Sequence, residues 1–159
     1  MGVIAQERQQ FDQAEAWYRK ALAIEERLGL ERYAASDYHQ LGIVAQERQQ
    51  FDQAEEWYRK ALAVYERLEH PPLMVNTLAQ FGVLRRRQNR LEEAVSWYGR
   101  ALAIASRYQM HVAGQILAHL ARIMKSMGEE AFAAAWRQAF QQEPPLDAVR
   151  QALRRLKDE

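Results

Sequence analysis

The chain has 159 residues, of which 48% are hydrophobic and 27% are charged, the balance of one ordinary globular domain. Its 22 basic and 21 acidic residues leave a formal net charge of +1, so charge favours neither nucleic acid nor an anionic membrane as a partner. There is no cysteine, which excludes disulfides, thiolate nucleophiles and thiolate metal sites.

One segment recurs three times along the chain at a fixed offset. Residues 2–28 read GVIAQERQQFDQAEAWYRKALAIEERL, residues 42–68 read GIVAQERQQFDQAEEWYRKALAVYERL, and a looser copy covers residues 82–108. Residues 1–28 and 41–68 are identical at 22 of 28 positions. A fixed period of this size, about 40 residues, predicts a stacked array of repeats with an extended concave surface.

The first repeat is predicted to be incomplete. Met1 corresponds to Leu41, which lies halfway along the first helix of the second repeat. We therefore expect residues 1–30 to form a truncated hairpin with about half of its first helix. We interpret the chain as the C-terminal part of a longer protein, or as a shortened form of it. The apolar stripe Phe11, Trp17, Tyr18 and Leu22 would then be incompletely covered, which predicts self-association or fraying at this edge.

The second repeat, residues 31–70, is predicted to form a complete helix–turn–helix. Its first helix ends near Gln49-Gln50, and Phe51 and Asp52 begin the second helix. Small residues at Gly42 and Ala54 let the two helices approach closely. Apolar residues of the second helix recur at spacings of three and four, the helical period for one buried face: Ala54, Trp57, Tyr58, Ala61, Leu62 and Tyr65.

The proline pairs Pro71-Pro72 and Pro144-Pro145 mark the remaining boundaries, because proline disfavours a helix interior. Residues 71–109 are predicted to form the third repeat and residues 110–142 a degenerate fourth repeat. Residues 144–158 are predicted to form a capping helix that buries one apolar stripe and exposes one charged face. That stripe consists of Leu146, Val149, Leu153 and Leu156, and Arg150, Gln151, Arg154, Arg155 and Lys157 are expected to face away.

The repeated small and aromatic residues resemble the tetratricopeptide repeat (TPR) family. The matching sets are Gly2, Ala14, Tyr18 and Ala21, then Gly42, Ala54, Tyr58 and Ala61, then Gly82, Ala94, Tyr98 and Ala101. The usual TPR unit has about 34 residues, so the longer period is similar to the kinesin light-chain type found in many bacterial regulatory proteins. The resemblance implies an all-α, right-handed α-solenoid of antiparallel helix hairpins in one domain, residues 1–159.

In this family the first helices of successive repeats line a groove that binds a peptide or protein partner. The resemblance places these residues in the groove: His39, Gln40, Gln46, Glu47, Asn76, Gln80, Arg86, Arg87, Gln115, His119, Arg122 and Lys125. The basic residues come late in the array, which favours an acidic peptide. The run RRRQNR at residues 85–90 has a simpler interpretation as a solvated helix end, where arginine is favourable. The lysine and asparagine set that binds chaperone tails is not reproduced.

The sequence gives no support for catalysis. It contains no HExxH, GxxxxGK[ST], GxGxxG or GxSxG pattern, and His111 and His119 are eight residues apart, too far for a metal pair on one helix turn. We therefore predict no catalytic, cofactor-binding or metal site and no enzymatic activity. The tryptophans Trp17, Trp57, Trp97 and Trp136 recur at one place in each repeat, which is typical of packing rather than of a ligand site.

Three functions follow from these patterns. The first is a scaffold or sensor module that binds a protein partner in its groove, as part of a larger protein. The second is self-assembly of the chain into oligomers through its N-terminal edge. The third, by family analogy alone, is a regulatory domain of a signalling NTPase or transcription regulator. The chain has no long apolar run and no leader-like start, so we expect a cytoplasmic protein that binds neither nucleic acid nor membrane.

Overall fold

The computed structural model describes the backbone of residues 2–158 and the side chains of residues 8–156. Within this range all regular secondary structure is helical. The helices are α1 (Gly2–Leu28), α2 (Glu31–Glu47), α3 (Phe51–Arg67), α4 (Pro71–Arg87), α5 (Leu91–Arg107), α6 (Val112–Met127), α7 (Glu129–Phe140) and α8 (Leu146–Asp158). The predicted all-α array of consecutive helix hairpins is confirmed.

The helices pack into two compact units, Met1–His70 and Pro71–Glu159. In the first unit α2 packs against both α1 and α3. In the second unit α4 packs against α5, and α6 contacts α5, α7 and α8. The interpretation of residues 1–159 as a single domain stays a prediction.

The turns between successive helices share one geometry. Gly29, Gln49, Glu69, Asn89 and Gln109 are equally spaced along the chain, and all have positive φ, between 48° and 67°. At each turn the next backbone N–H donates to the carbonyl five residues earlier, as from Gln50 to Ala45 at 2.8 Å and from Arg90 to Arg85 at 2.8 Å. This is the Schellman arrangement, which satisfies the last carbonyls of a helix. Each period of the sequence is therefore built from two structural steps of equal length, one helix and one turn each.

The first repeat does not form the predicted hairpin. Gln49 and Gln50 form the turn between α2 and α3, whereas their counterparts Gln9 and Gln10 lie inside the continuous helix α1. A left-handed residue other than glycine costs roughly 1–3 kcal/mol. In the second repeat the packing of α2 on α3 offsets that cost. In the first copy the helix continues unbroken through Gln9 and Gln10, so no left-handed residue is needed there.

The repeat glycines make room for a tyrosine ring rather than for a second backbone. A Cβ atom on Gly82 would lie 2.6 Å from Cε2 of Tyr98, and a Cβ on Gly42 would meet the ring of Tyr58 in the same way. Both tyrosine side chains are fully buried. Because Gly42 and Gly82 lack a side chain, the tyrosine ring from the second helix of each hairpin can pack directly against the backbone of the first helix.

The C-terminal helix α8 packs on α6, as expected of a capping helix. Val149 is fully buried, while Leu146, Leu153 and Leu156 are partly buried. Arg150, which we expected to face away, forms ion pairs with Glu129 at the start of α7 and with Asp147. The apolar stripe of α8 thus covers one side of α6, and a charged contact reaches α7.

Candidate protein-binding surface

In the first unit, α2 carries four of the predicted groove residues. Gln40 is half-buried and Glu47 is exposed. His39 is half-buried, its ring centroid lies 5.7 Å from that of Tyr58, and burial lowers its pKa to about 4. Gln46 is only 2% exposed, and its Oε1 accepts a hydrogen bond of 3.3 Å from the Tyr58 hydroxyl. The Gln46 side chain therefore supports the hairpin and offers no surface to a partner.

In the second unit, α4 and α6 carry the other eight predicted residues, and all of them are exposed or half-buried. Asn76, Arg87, Gln115, Arg122 and Lys125 are exposed, and Gln80, Arg86 and His119 are half-buried. This unit therefore presents most of the predicted surface.

A cleft of about 420 Å³ lies between α6 and α8 and brings three of the predicted residues together. Gln115, His119 and Arg122 line it from α6, and Gln151 and Arg155 line it from α8. None of the described residues that line the cleft is acidic. The sequence pattern predicts that Gln151 and Arg155 face solvent, whereas both line the cleft. A second pattern in α8 indicates this face: small or apolar residues recur every four positions, with Gln151 and Arg155 beside them. These residues are Ala148, Ala152 and Leu156.

At the α5 side of α6, the ring of His119 stacks on the ring of Tyr98. Their centroids are 5.0 Å apart and the planes differ by 11°. Burial raises the pKa of Tyr98 to about 12, although the positive charges of Arg86 and Arg122 act in the opposite direction. Burial also lowers the pKa of His119, and Arg86 and Arg122 lower it further. These four side chains therefore form a positively charged cluster in which His119 is neutral at neutral pH.

In the first unit, Glu25 on α1 and Asp37 on α2 form a pair of carboxyl groups. Glu25 Oε2 and Asp37 Oδ2 are buried without a hydrogen-bond partner among the described residues, and the two carboxyl groups influence each other electrostatically. Burial raises the pKa of both groups, and the Asp37 charge raises the pKa of Glu25 further. The two groups thus hold a proton together more readily than isolated carboxylates do.

An apolar patch lies on α1 and at the start of α2. Trp17 is 71% exposed, Leu28 60% and Tyr33 63%, and Ile24 and Leu30 are also exposed. The counterparts of Trp17 are covered: Trp57 stacks on Tyr38 with centroids 5.7 Å apart, and Trp97 stacks on Phe81 at 4.1 Å. The prediction that the tryptophans serve packing holds for these two and for the buried Trp136, but not for Trp17.

The part of the chain that the structure describes contains neither a membrane-spanning helix nor a cluster of metal-binding side chains. None of its helices combines the length and the apolar composition needed to cross a membrane. Nor do the histidine, aspartate and glutamate side chains of that part form a group of three or more placed to hold a metal ion.

Solved structures with the same fold support the assignment of the helix pairs. The crystal structure of BtubC (BKLC) from P. vanneervenii matches 94% of this chain with a TM-score of 0.70 and 23% identity, and the chain spans 58% of that protein. Nearly identical TPR-like repeats of a kinesin-light-chain-type protein from Podosopora anserina match 97% of this chain with a TM-score of 0.64 and 15% identity, and the chain spans 72% of that structure. At these identities the matches establish the fold alone. No curated protein sequence gives a significant match.

The family model for the tetratricopeptide repeat matches residues 1–67 and, in an overlapping match, residues 33–107. TPR arrays generally serve as scaffolds for protein–protein interaction and are typically not enzymes. The matched range covers the three regular copies and the turns between them. This chain therefore belongs to the tetratricopeptide repeat family.

Proposed function

We propose that the chain is a protein-interaction module that binds an acidic peptide segment of a partner, with the cleft between α6 and α8 as its main contact. The observation that carries this proposal is the charge of the cleft: Arg122 and Arg155 face it from opposite sides, and its described lining includes no carboxylate. An acidic segment would supply the missing negative charge.

The shape of the cleft supports a peptide rather than a small metabolite. It is an open trough between two helices, and its lining includes the small residues Gly114, Ala118, Ala148 and Ala152. Small side chains leave room for a main chain to approach, and Gln115 and Gln151 can donate to and accept from its amide groups. The combination of amide side chains and guanidinium groups suits a polar, acidic segment in an extended form.

Fluorescence anisotropy with a short labelled peptide of alternating aspartate and glycine, here called the aspartate probe, tests the proposal. We expect Arg122→Glu and Arg155→Glu each to weaken binding by about tenfold, because each replaces an attractive charge with a repulsive one in the cleft. Binding should also weaken with added salt.

Arg154→Glu is the matched control, because Arg154 is exposed on the same helix and does not line the cleft. It makes the same change in net charge as Arg155→Glu. If the two variants weaken binding equally, the probe responds to general charge and the cleft is not the binding site. A probe with asparagine in place of aspartate should not bind.

We propose self-association through the exposed apolar patch as a second candidate function, with a second copy of the chain as the occupant. Trp17 has the same place in its repeat as Trp57 and Trp97, both of which stack on a neighbouring ring, yet it is 71% exposed. Two copies related by a twofold axis would bring the same patch together. Burying each large apolar side chain would stabilise the dimer by roughly 1.5–3 kcal/mol.

Sedimentation across a concentration series tests this second function. The wild-type chain should show a larger mass at high concentration, and Trp17→Arg should keep it monomeric. Tyr108→Arg is the control, because Tyr108 is an exposed aromatic residue of the second unit that lies outside the patch. A wild-type chain that stays monomeric throughout the series would show that the patch has no role in assembly.

A further inference from the structure

The hydroxyl of Tyr98 differs from its counterpart in the preceding repeat. Tyr58 donates its hydroxyl hydrogen to Gln46. One repeat later, Arg86 occupies the position of Gln46, and a guanidinium group cannot accept a hydrogen bond. The Tyr98 hydroxyl is consequently buried without a hydrogen-bond partner among the described residues. A buried donor of this kind costs free energy unless something else accepts from it.

A second buried atom without a partner lies beside it. Nδ1 of His119 has no hydrogen-bond partner in the described part of the chain, and its ring lies flat on the ring of Tyr98. His119 also lines the cleft between α6 and α8, so the imidazole connects the buried tyrosine with the proposed binding surface.

The positive charge around His119 is not balanced from within the structure. Arg48 and Arg150 form ion pairs with acidic residues, but no ion pair of Arg86 or Arg122 is found in the described part of the chain. The charged groups that face His119 are Arg86 from α4 and Arg122 on its own helix, with Arg155 across the cleft on α8. Tyr98 from α5 completes the surroundings as a neutral group.

From this arrangement we propose that Arg86 and Arg122 bind a side-chain carboxylate of the partner peptide beside the stacked Tyr98–His119 pair, and that His119 takes up a proton as the carboxylate binds. Arginine suits the planar carboxylate because its guanidinium donates two parallel hydrogen bonds. The bound negative charge offsets the two arginines and stabilises the imidazolium. The carboxylate also gives the Tyr98 hydroxyl and the protonated His119 an acceptor. This inference rests on the proposed function and adds the anchoring residues and a proton linkage to it.

The coupling between carboxylate binding and proton uptake by His119 can be measured in two independent ways. If the carboxylate raises the pKa of His119, a lower pH must tighten the binding of the carboxylate by the same factor. We expect the aspartate probe to bind about three- to tenfold more tightly at about pH 5.5 than at about pH 7.5, a range in which aspartate stays ionised. The imidazole signal of His119 in nuclear magnetic resonance, assigned by its loss in His119→Gln, should titrate at a higher pH when the probe is bound.

Two variants and a matched control separate the contributions. His119→Gln should bind the probe with nearly the same affinity at both pH values. Tyr98→Phe keeps the stacked ring and removes only the hydroxyl, and it should weaken binding by about tenfold. Tyr58→Phe removes the corresponding hydroxyl of the first unit and should leave probe binding unchanged. Circular dichroism establishes that each variant is folded.

The possible results distinguish this inference from the proposed function. Loss of binding in Arg122→Glu, together with a rise in the His119 pKa on probe binding, supports both. Loss of binding in Arg122→Glu without pH dependence, and without a change in the His119 titration, overturns the proton linkage and leaves the acidic-peptide function standing. Failure of the aspartate probe to bind, or binding that is insensitive to Arg122→Glu, overturns both. Proton-linked binding of a phosphoserine probe but not of the aspartate probe would show that a phosphopeptide, not a carboxylate, is the ligand.

Discussion

Replacing Gly82 with alanine should destabilise the second unit even though alanine is the better helix former. The new Cβ would lie 2.6 to 2.7 Å from three atoms of the Tyr98 ring, closer than ordinary contact. The ring is fully buried and stacked on His119, so it cannot swing into solvent. The helix gains roughly 1 kcal/mol from losing a glycine, while overpacking of a buried site costs about 1–3 kcal/mol. We expect a net destabilisation of about 1 kcal/mol from these two opposing effects.

Gly114→Ala is the matched control within the same unit. Gly114 lies in the first turns of α6, and a Cβ there would meet no atom within 4 Å. Gly114→Ala should therefore stabilise the unit by about 0.5 kcal/mol or slightly more, because alanine favours the helix and no overpacking opposes it.

Hydrogen exchange measured by mass spectrometry over α4 and α5 gives the local stability of this hairpin, and urea unfolding gives the midpoint for the whole chain. The reasoning requires faster exchange in Gly82→Ala and unchanged or slower exchange in Gly114→Ala. If both variants are stabilised, the Tyr98 ring does not fill the space beside Gly82, and the ring position used for the binding site is wrong. Gly82→Ala should also disturb the His119 titration, because a displaced tyrosine ring takes its stacking partner with it.

Three further predictions concern pH and the C-terminal helix. Burial lowers the pKa of His39 to about 4. As the pH drops from about 6.5 towards 4, His39 is therefore protonated in the unfolded chain but not in the folded chain, and the free energy of unfolding falls by at most about 3 kcal/mol. His39→Gln should remove this pH dependence from the free energy of unfolding measured in urea. The pKa values of Glu25 and Asp37 are raised, so the stability that these two groups contribute is present at low pH and is lost as the pH rises through their raised pKa values. Because an asparagine side chain carries no charge, Asp37→Asn should stabilise the first unit at neutral pH. Val149→Ala removes two methyl groups from a fully buried side chain of α8 and should destabilise the docking of this helix by about 1–3 kcal/mol, seen as faster hydrogen exchange in α8.

Each of these predictions has an outcome that contradicts it. If the His39→Gln variant loses stability in acid as much as the wild type does, a group other than His39 causes the loss of stability. An Asp37→Asn variant that is less stable at neutral pH would mean that the Glu25–Asp37 pair stabilises the fold as two charges. If Val149→Ala leaves exchange in α8 unchanged, that helix is held by the ion pair of Arg150 with Glu129 rather than by its apolar stripe.

The sequence was sufficient to predict the helices that are held by repeated packing. Phe51 begins α3 as expected, and the apolar positions Ala54, Tyr58, Ala61 and Tyr65 are all buried. Period and burial agree here because apolar residues at helical spacing share one face of α3, and α2 packs against that helix.

The sequence was not sufficient where the outcome depends on what a residue packs against. Gln9 and Gln49 stand in the same local sequence, yet Gln49 forms a turn between the packed helices α2 and α3, whereas Gln9 lies inside α1. Gln46 was assigned to the groove by alignment, but its hydrogen bond to Tyr58 keeps it inside the hairpin. The role of Arg155 depends on the docking of α8 on α6, a contact between distant segments that local periodicity does not determine.

The equal spacing of the left-handed turns has a consequence for how such a chain changes in length. The helices α2 to α5 are all of one length, and the turns that join them are equally long. Loss or gain of one full repeat, the distance from Gly42 to Gly82, removes or adds one whole hairpin and restores the same helix-to-helix junction. A step that is not a whole number of helix-and-turn units would move a left-handed glutamine or asparagine into a helix interior or bring an interior residue to a turn. The near-identity of residues 2–28 and 42–68 is what a copying event of this permitted length produces, so relatives with different numbers of hairpins should differ in length by whole repeats.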